Sequence, residues 1–249
     1  MSVSQNAGAS SRTWAIETHG VTKSFDTALA VRKLDLTVAA GERVALFGQN
    51  GAGKTTVIKL LAGVLHPTAG SIRVWGRRPY GPGAAVRRLI GLVSHQSYLY
   101  EELSARENLL FYARLYGLKQ PETHVDVALE NVGMARRAND TVRTLSRGMQ
   151  QRIALARAIV HNPSILLLDE PDTGLDPSAR ERLADLLANQ RPDLTVLIAT
   201  HNLEMGMTLC SRSVILRDGY LVYDSQRKEE SNAPSPEKFR RFIDGSNGD

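Results

Sequence analysis

One run of residues constrains this chain more than any other: Gly48-Gln49-Asn50-Gly51-Ala52-Gly53-Lys54-Thr55, with Thr56 directly behind it. It fits G-x-x-x-x-G-K-[ST] at every fixed position. Arg43-Val44-Ala45-Leu46-Phe47 precedes it, a short apolar run of the kind a strand buried on both faces shows. Residues 55–64 follow with Ile58, Leu61 and Ala62 on one face, which predicts a helix, and Pro67 and Gly70 are read as its stop. A strand, a glycine-rich turn and a helix together form a cradle for a polyphosphate. The glycines let backbone N–H groups converge, and the helix start adds roughly half a positive charge. Lys54 would bring a full charge to the β- and γ-phosphates, and the Thr55 hydroxyl would ligate Mg²⁺. A polyphosphate with Mg²⁺ is therefore the expected ligand.

Leu168-Asp169-Glu170 ends a second buried run, Ile165-Leu166-Leu167-Leu168. Carboxylates at the carboxyl end of such a strand reach the edge where open α/β sheets bind ligands. Asp169 would hold Mg²⁺ through water, and Glu170 is placed to take a proton from attacking water. Further strands are expected at 15–21, 34–38 and 195–199, with Asp218-Gly219 turning a hairpin between 214–216 and 220–223. Ser104-Ala105-Arg106-Glu107 is a capping box opening a helix that Gly117 can close, and helices are expected again at 146–160 and 178–188. Strands alternating with helices predict a mainly parallel sheet covered on both faces. The mostly helical stretch, about 97–162, reads as an insertion. Residues 1–12 read as a flexible tail, and 225–249 as a polar segment with a short helix opened by Ser235-Pro236-Glu237 and carrying Phe239, Phe242 and Ile243.

Five separate segments, in a fixed order, resemble the nucleotide-binding subunit of ABC transporters over roughly residues 14–224. Besides the phosphate loop and the Asp169-Glu170 pair, Gln96 matches the family's glutamine loop, and Leu145-Ser146-Arg147-Gly148-Met149-Gln150-Gln151-Arg152 its signature. Thr173-Gly174-Leu175-Asp176 resembles the D-loop, His201 the switch histidine, and Phe25 the aromatic that stacks on adenine. The resemblance implies an α/β P-loop NTPase fold, with an antiparallel β part and a helical subdomain joined to the main sheet, the whole spanning 13–224. It implies ATP hydrolysis in a head-to-tail pair, either a homodimer or a pairing with a second ATPase subunit. In that pair Ser146 and Gly148 of one copy would meet the γ-phosphate held by the other. His201 would bond the same phosphate and hold Glu170 and water in line, while Gln96 would sense Mg²⁺. Transmembrane permease subunits are the implied partner, which places the chain in the cytoplasm on the inner face of the membrane. Arg147 and Met149 depart from the usual signature, where glycine and glutamine stand.

Within the family, residues 93–96, 107–118 and 145–152 are most similar to the haem exporter subunit of cytochrome c maturation, and more distantly to exporters of drugs, lipids and polysaccharides. Tyr98, Leu99 and Tyr100 lie where the family meets its permease, or else are buried locally; an apolar-aromatic cluster suits either. The remaining features point elsewhere than to new chemistry. With Lys plus Arg 31 against Asp plus Glu 26, the charge of +5 reads as a solvated basic surface. The Arg pairs at 77–78, 87–88 and 136–137 have no interleaved stacking aromatics, so no nucleic acid is expected. The single cysteine, Cys210, fits a reducing compartment. No apolar run approaches the ~20 residues of a membrane span, and the amino terminus lacks the pattern of a signal peptide. His66 and His161, beside prolines at helix ends, read as caps. Two rivals remain: a soluble ABC ATPase acting on DNA or the ribosome, which usually carries two nucleotide domains or long coiled coils, and a GTPase or small kinase, which has no use for the signature.

Overall fold

A computed structural model describes residues 13–82, 85–94 and 96–226. The segments expected at 1–12 and 235–243, and His95, lie outside the described residues. Six strands form the main sheet: β3 (Arg43–Phe47), β5 (Ile90–Val93), β6 (Ile165–Asp169), β7 (Thr195–Thr200), β8 (Arg212–Arg217) and β9 (Tyr220–Asp224), in the order β5-β6-β7-β3-β8-β9. All its pairings are parallel except β8 with β9. That hairpin turns at Asp218 and Gly219, both at positive φ (51° and 80°), as the two-residue signal predicts. A smaller antiparallel sheet holds β1 (Trp14–Phe25), β2 (Ala28–Ala39) and β4 (Ala69–Val74), in the order β2-β1-β4.

Two apolar clusters lie on opposite faces of the main sheet, because alternate residues of each buried strand point to opposite faces. Leu166 and Leu168 join one cluster, Ile165 and Leu167 the other. The first takes in α2 (Ala105–Leu115), α3 (Pro121–Asn131), α4 (Arg147–Ile159), α5 (Pro177–Ala188) and α6 (Leu203–Leu209). The second takes in α1 (Lys54–Leu61) and the inner face of the antiparallel sheet. Helices thus cover both faces, and on the α1 side the small sheet completes the cover.

The capping box of α2 forms as expected: the Ser104 side chain accepts from Glu107 N, and Glu107 reaches back to Ser104 N. Helix α1 ends earlier than the prolines and glycines suggest. Its cap is Ala62, followed by Gly63, where an added Cβ would stand 2.0 Å from Pro79 O. Packing against residue 79 turns the chain there, before Pro67 is reached. His161 is no helix cap. Its ring stacks on Tyr116 at 3.9 Å between centroids, and Nε2 lies 3.2 Å from Ile90 O. His66 likewise lies against an aromatic ring, Tyr80. Helix α4 rests directly on β5, since a Cβ at Gly91 would come within 2.3 Å of Ala158 O.

Candidate functional site

The main sheet brings three strand ends level. The register pairs Phe47 with Thr200 and Asp169 with Ala199, so the loop after β3, the Asp169-Glu170 pair after β6 and His201 after β7 emerge side by side. Between them is a cavity of about 380 Å³, lined by Ala30, by Asn50, Gly51, Gly53, Lys54, Thr55 and Thr56, and by Asp169 and Glu170 opposite. A second cleft, about 330 Å³ between α3 and the end of α4, holds none of the motif residues.

Gly53 is the N-cap of α1 at φ 103°, with no side-chain cap, so the first amides of the helix are left to a ligand. Its bare Cα also passes Ala30, where an added Cβ would sit 2.2 Å from the carbonyl oxygen. Gly48 and Gln49 turn their carbonyls to Lys54, whose Nζ donates to them at 2.8 and 3.1 Å. Ala52, buried, is tied by its amide to Gln49 O and by its carbonyl to Gly219 N. Lys54 is only 5% exposed, and a buried cation needs partners. Besides the two carbonyls it has Glu170, with Nζ 3.4 Å from Oε1.

Across the cavity the Thr55 hydroxyl donates to Asp169 Oδ1 at 3.0 Å. Burial pushes the Asp169 carboxyl above its ordinary range and the Glu170 charge adds to this, against the Thr55 bond and the ammoniums of Lys59 and Lys54. A hard cation would relieve that strain on the charged form, and a hydroxyl and a carboxylate oxygen 3.0 Å apart are the donor chemistry that Mg²⁺ takes. Among the described residues no group of three or more His, Cys, Asp or Glu could hold a metal ion. Glu170 sits at φ 47°, its amide donating to Ala199 O. Burial pulls its carboxyl upward, but Lys54, His201 and the bonds from Lys54 and Thr173 outweigh it and hold it below the usual range. His201 Nδ1 lies 3.6 Å from Glu170 Oε1.

Not every expected residue converges here. Phe25 is 44% exposed at the end of β1, with Lys23 Nζ 5.0 Å from its ring centroid, and is not in the cavity lining. Gln96 is exposed, and its carbonyl accepts from Ser94 Oγ at 2.9 Å. Ser146 caps α4 by accepting from Met149 N, and neither it nor Gly148 lines the cavity. The sequence reading assigned no contact in the site to three contributors. Ala30 supplies a wall from β2, Thr173 Oγ1 donates to Glu170 Oε2 at 3.2 Å, and Asn202 Nδ2 donates to Asp172 Oδ2 at 3.0 Å. Thr173 belongs to the segment that resembles the D-loop and Asn202 stands beside His201, which are the signals that could have marked them.

The sequence profile of the ABC transporter family matches residues 31–173. The chain belongs to that family. A relative named Nod factor export ATP-binding protein I, from Rhizobium johnstonii, is 41% identical over 218 residues, which are 85% of this chain and 69% of the relative. ABC transporter ATP-binding protein NatA of Bacillus subtilis is 35% identical over 226 residues, 86% of this chain and 92% of that one. Among solved structures, the ATP-binding cassette MJ0796, a dimer in a post-hydrolysis state with ADP and Pi, superposes with a TM-score of 0.77 at 27% identity, covering 84% of this chain and 97% of that one. The cbiO1 protein from Clostridium perfringens, part of the ABC transporter complex cbiONQ, superposes with a TM-score of 0.76 at 26% identity over 85% and 88% of the two chains. This ABC cassette is an ATP hydrolase with the P-loop α/β fold. Among the described residues no helix is long and apolar enough to cross a membrane.

Proposed function

We propose that this cassette is the ATP-hydrolysing subunit of an exporter, acting as a pair and powering a separate membrane permease. The observation that carries the reading is the meeting of Lys54, Thr55, Asp169 and Glu170 around one cavity, with Lys54 Nζ 3.4 Å from Glu170 Oε1. A triphosphate lying along the loop would have its β- and γ-phosphates at Lys54 and the free amides of α1. Thr55 and Asp169 would hold Mg²⁺, with Gln96 reaching it from the β5 end, and the ion would supply neutralising charge at those phosphates. Glu170, ionised because its cationic neighbours hold its pKa down, takes the proton of the attacking water. His201 orients Glu170 from the neighbouring strand end and bonds the γ-phosphate. Phe25 stacks on the adenine from the rim.

Ser146 and Gly148 do not line the cavity of their own chain, which supports the head-to-tail pairing in which they close the site of a second copy; the MJ0796 relative is itself a dimer. The permease would dock on the exposed patch of Tyr98, Tyr100, Phe111 and Leu115, where Tyr100 and Phe111 meet edge to face at 5.2 Å. Leu99 packs inward beside it. Such a complex sits on the inner face of the cell membrane, and no nucleic acid enters it.

The relatives named for Nod factor export support an exporter. The segments at 93–96, 107–118 and 145–152 support haem export for cytochrome c maturation as a second reading, and the permease that copurifies separates the two. The central test is Glu170→Gln. It should retain ATP, hydrolyse it barely, and show the doubled mass in light scattering with ATP. A variant that stays monomeric at saturating ATP would refute the paired site.

A further inference from the structure

Three contacts press the start of α4 against the loop that follows Asp169 and the start of α5. Gln151 Nε2 donates to Pro171 O at 2.9 Å. A Cβ on Gly148 would meet Ala179 Cβ at 3.5 Å and Leu175 Cδ2 at 3.7 Å, ordinary packing distances. The tightest contact is at Gly174, whose φ is +73°: an added Cβ there would lie 2.8 Å from Arg147 Cζ and 3.0 Å from both Nε and Nη1. Three guanidinium atoms are nearly equidistant from that point, so the group lies face-on over the bare Cα. The left-handed backbone favours glycine at 174, and a side chain there would also displace the guanidinium of Arg147.

The same loop reaches the chemistry at its other end. Thr173, next to Gly174, donates to Glu170 Oε2 at 3.2 Å, and Asp172 accepts from Asn202, the neighbour of His201. We propose that Arg147 is a positioning residue for Glu170. Its flat face clamps Gly174, so that a displacement of the α4 turn passes through Thr173 to the carboxylate. The inference rests on the paired-site reading, in which Ser146 and Gly148, on either side of Arg147, meet the nucleotide of the other copy. Arg147 then links that nucleotide to the Glu170 of its own chain. The glycine usual at this position in the signature has no atoms to make the link.

The test combines steady-state hydrolysis by the full chain with ATP-driven dimerisation measured in a Glu170→Gln background. Arg147→Ala should lower kcat about ten- to hundredfold, as a small misplacement of a catalytic group does. Its KM for ATP should stay within about twofold, since nucleotide binding is untouched. Arg147→Ala/Glu170→Gln should dimerise at the same ATP concentration as Glu170→Gln. Arg147→Lys keeps the charge without the flat face and should not recover kcat. Gly174→Ala should cost less in the Arg147→Ala background, where its methyl meets no guanidinium. Unchanged kcat in Arg147→Ala, full recovery in Arg147→Lys, or additive losses in the double variant would overturn the proposal. So would failure of Arg147→Ala/Glu170→Gln to dimerise where Glu170→Gln succeeds, because Arg147 would then be an interface contact. A Glu170→Gln control that never dimerises sinks the paired-site reading itself, and this inference with it.

Discussion

Lys54 meets three oxygens from a position that is 5% exposed, two of them carbonyls of its own loop and one the Glu170 carboxylate. Its charge holds the loop together and, in the proposed function, would also meet the phosphates. Lys54→Ala should therefore abolish measurable turnover, and near-normal hydrolysis in a phosphate-release assay would remove the loop from the active site. At this scale the sequence was legible wherever spacing dictates chemistry: Lys54, Thr55, Asp169 and Glu170 stand in contact as their motifs require. It gave Thr173 no role beyond its place in the D-loop motif, and was silent on Asn202 and Ala30. Their contribution depends on how a loop folds back or which strand passes by, and neither leaves a mark in local periodicity. Arg147 was visible only as a departure from a pattern. Its contact with Gly174 belongs to two segments that tertiary packing brings together.

Elements followed the same division. Buried strands and the capping box could be read directly, because burial on two faces and reciprocal caps each leave a residue pattern. The end of α1 could not, because it is set by the approach of residue 79, and the stacking of His161 on Tyr116 joins the end of α4 to the end of α2. That stack has a measurable consequence. Burial holds the His161 pKa at about 4, against 6.5 for the free side chain, with Arg157 adding to the effect and the bond to Ile90 opposing it. The unfolded chain therefore binds more protons between those two values. The stability conferred by a neutral His161 is complete above about pH 6.5 and is lost as the pH falls toward 4, amounting to about 3 kcal/mol at most. Urea midpoints at pH 7 and pH 5 should diverge for the native chain and converge for His161→Phe, which keeps a ring against Tyr116 without the proton. Equal losses in both proteins would exclude His161 as the source.

Across the whole molecule, the two sheets are joined by a buried ionic knot as well as by apolar packing. Arg212 on β8 pairs with Asp224 on β9 at 2.6 Å and with Glu42 at 3.3 Å, and donates to Thr37 O on β2 of the smaller sheet at 2.7 Å. Burial alone would lower the Arg212 pKa, but the two carboxylates hold it above its usual value. Arg212→Met would leave both acids buried without their counter-charge, a loss of about 3–5 kcal/mol. For a domain of this size that is a fall in Tm of roughly 10 °C, readable by calorimetry, and an unchanged Tm would show that the knot is replaceable. The sequence predicts a mainly parallel sheet, but neither the order of its strands nor this knot was legible, since partners far apart in the chain meet only once the strands are ordered. The bare meeting of α4 with β5 at Gly91 matters on the same scale. Gly91 has no side chain to hold the helix off the strand, so the contact would serve as the fulcrum of any tilt of α4. From Ala158 to Arg147 the helix extends about 17 Å, so a tilt of about 10° at the fulcrum swings its far tip by about 3 Å, roughly the reach of one hydrogen bond.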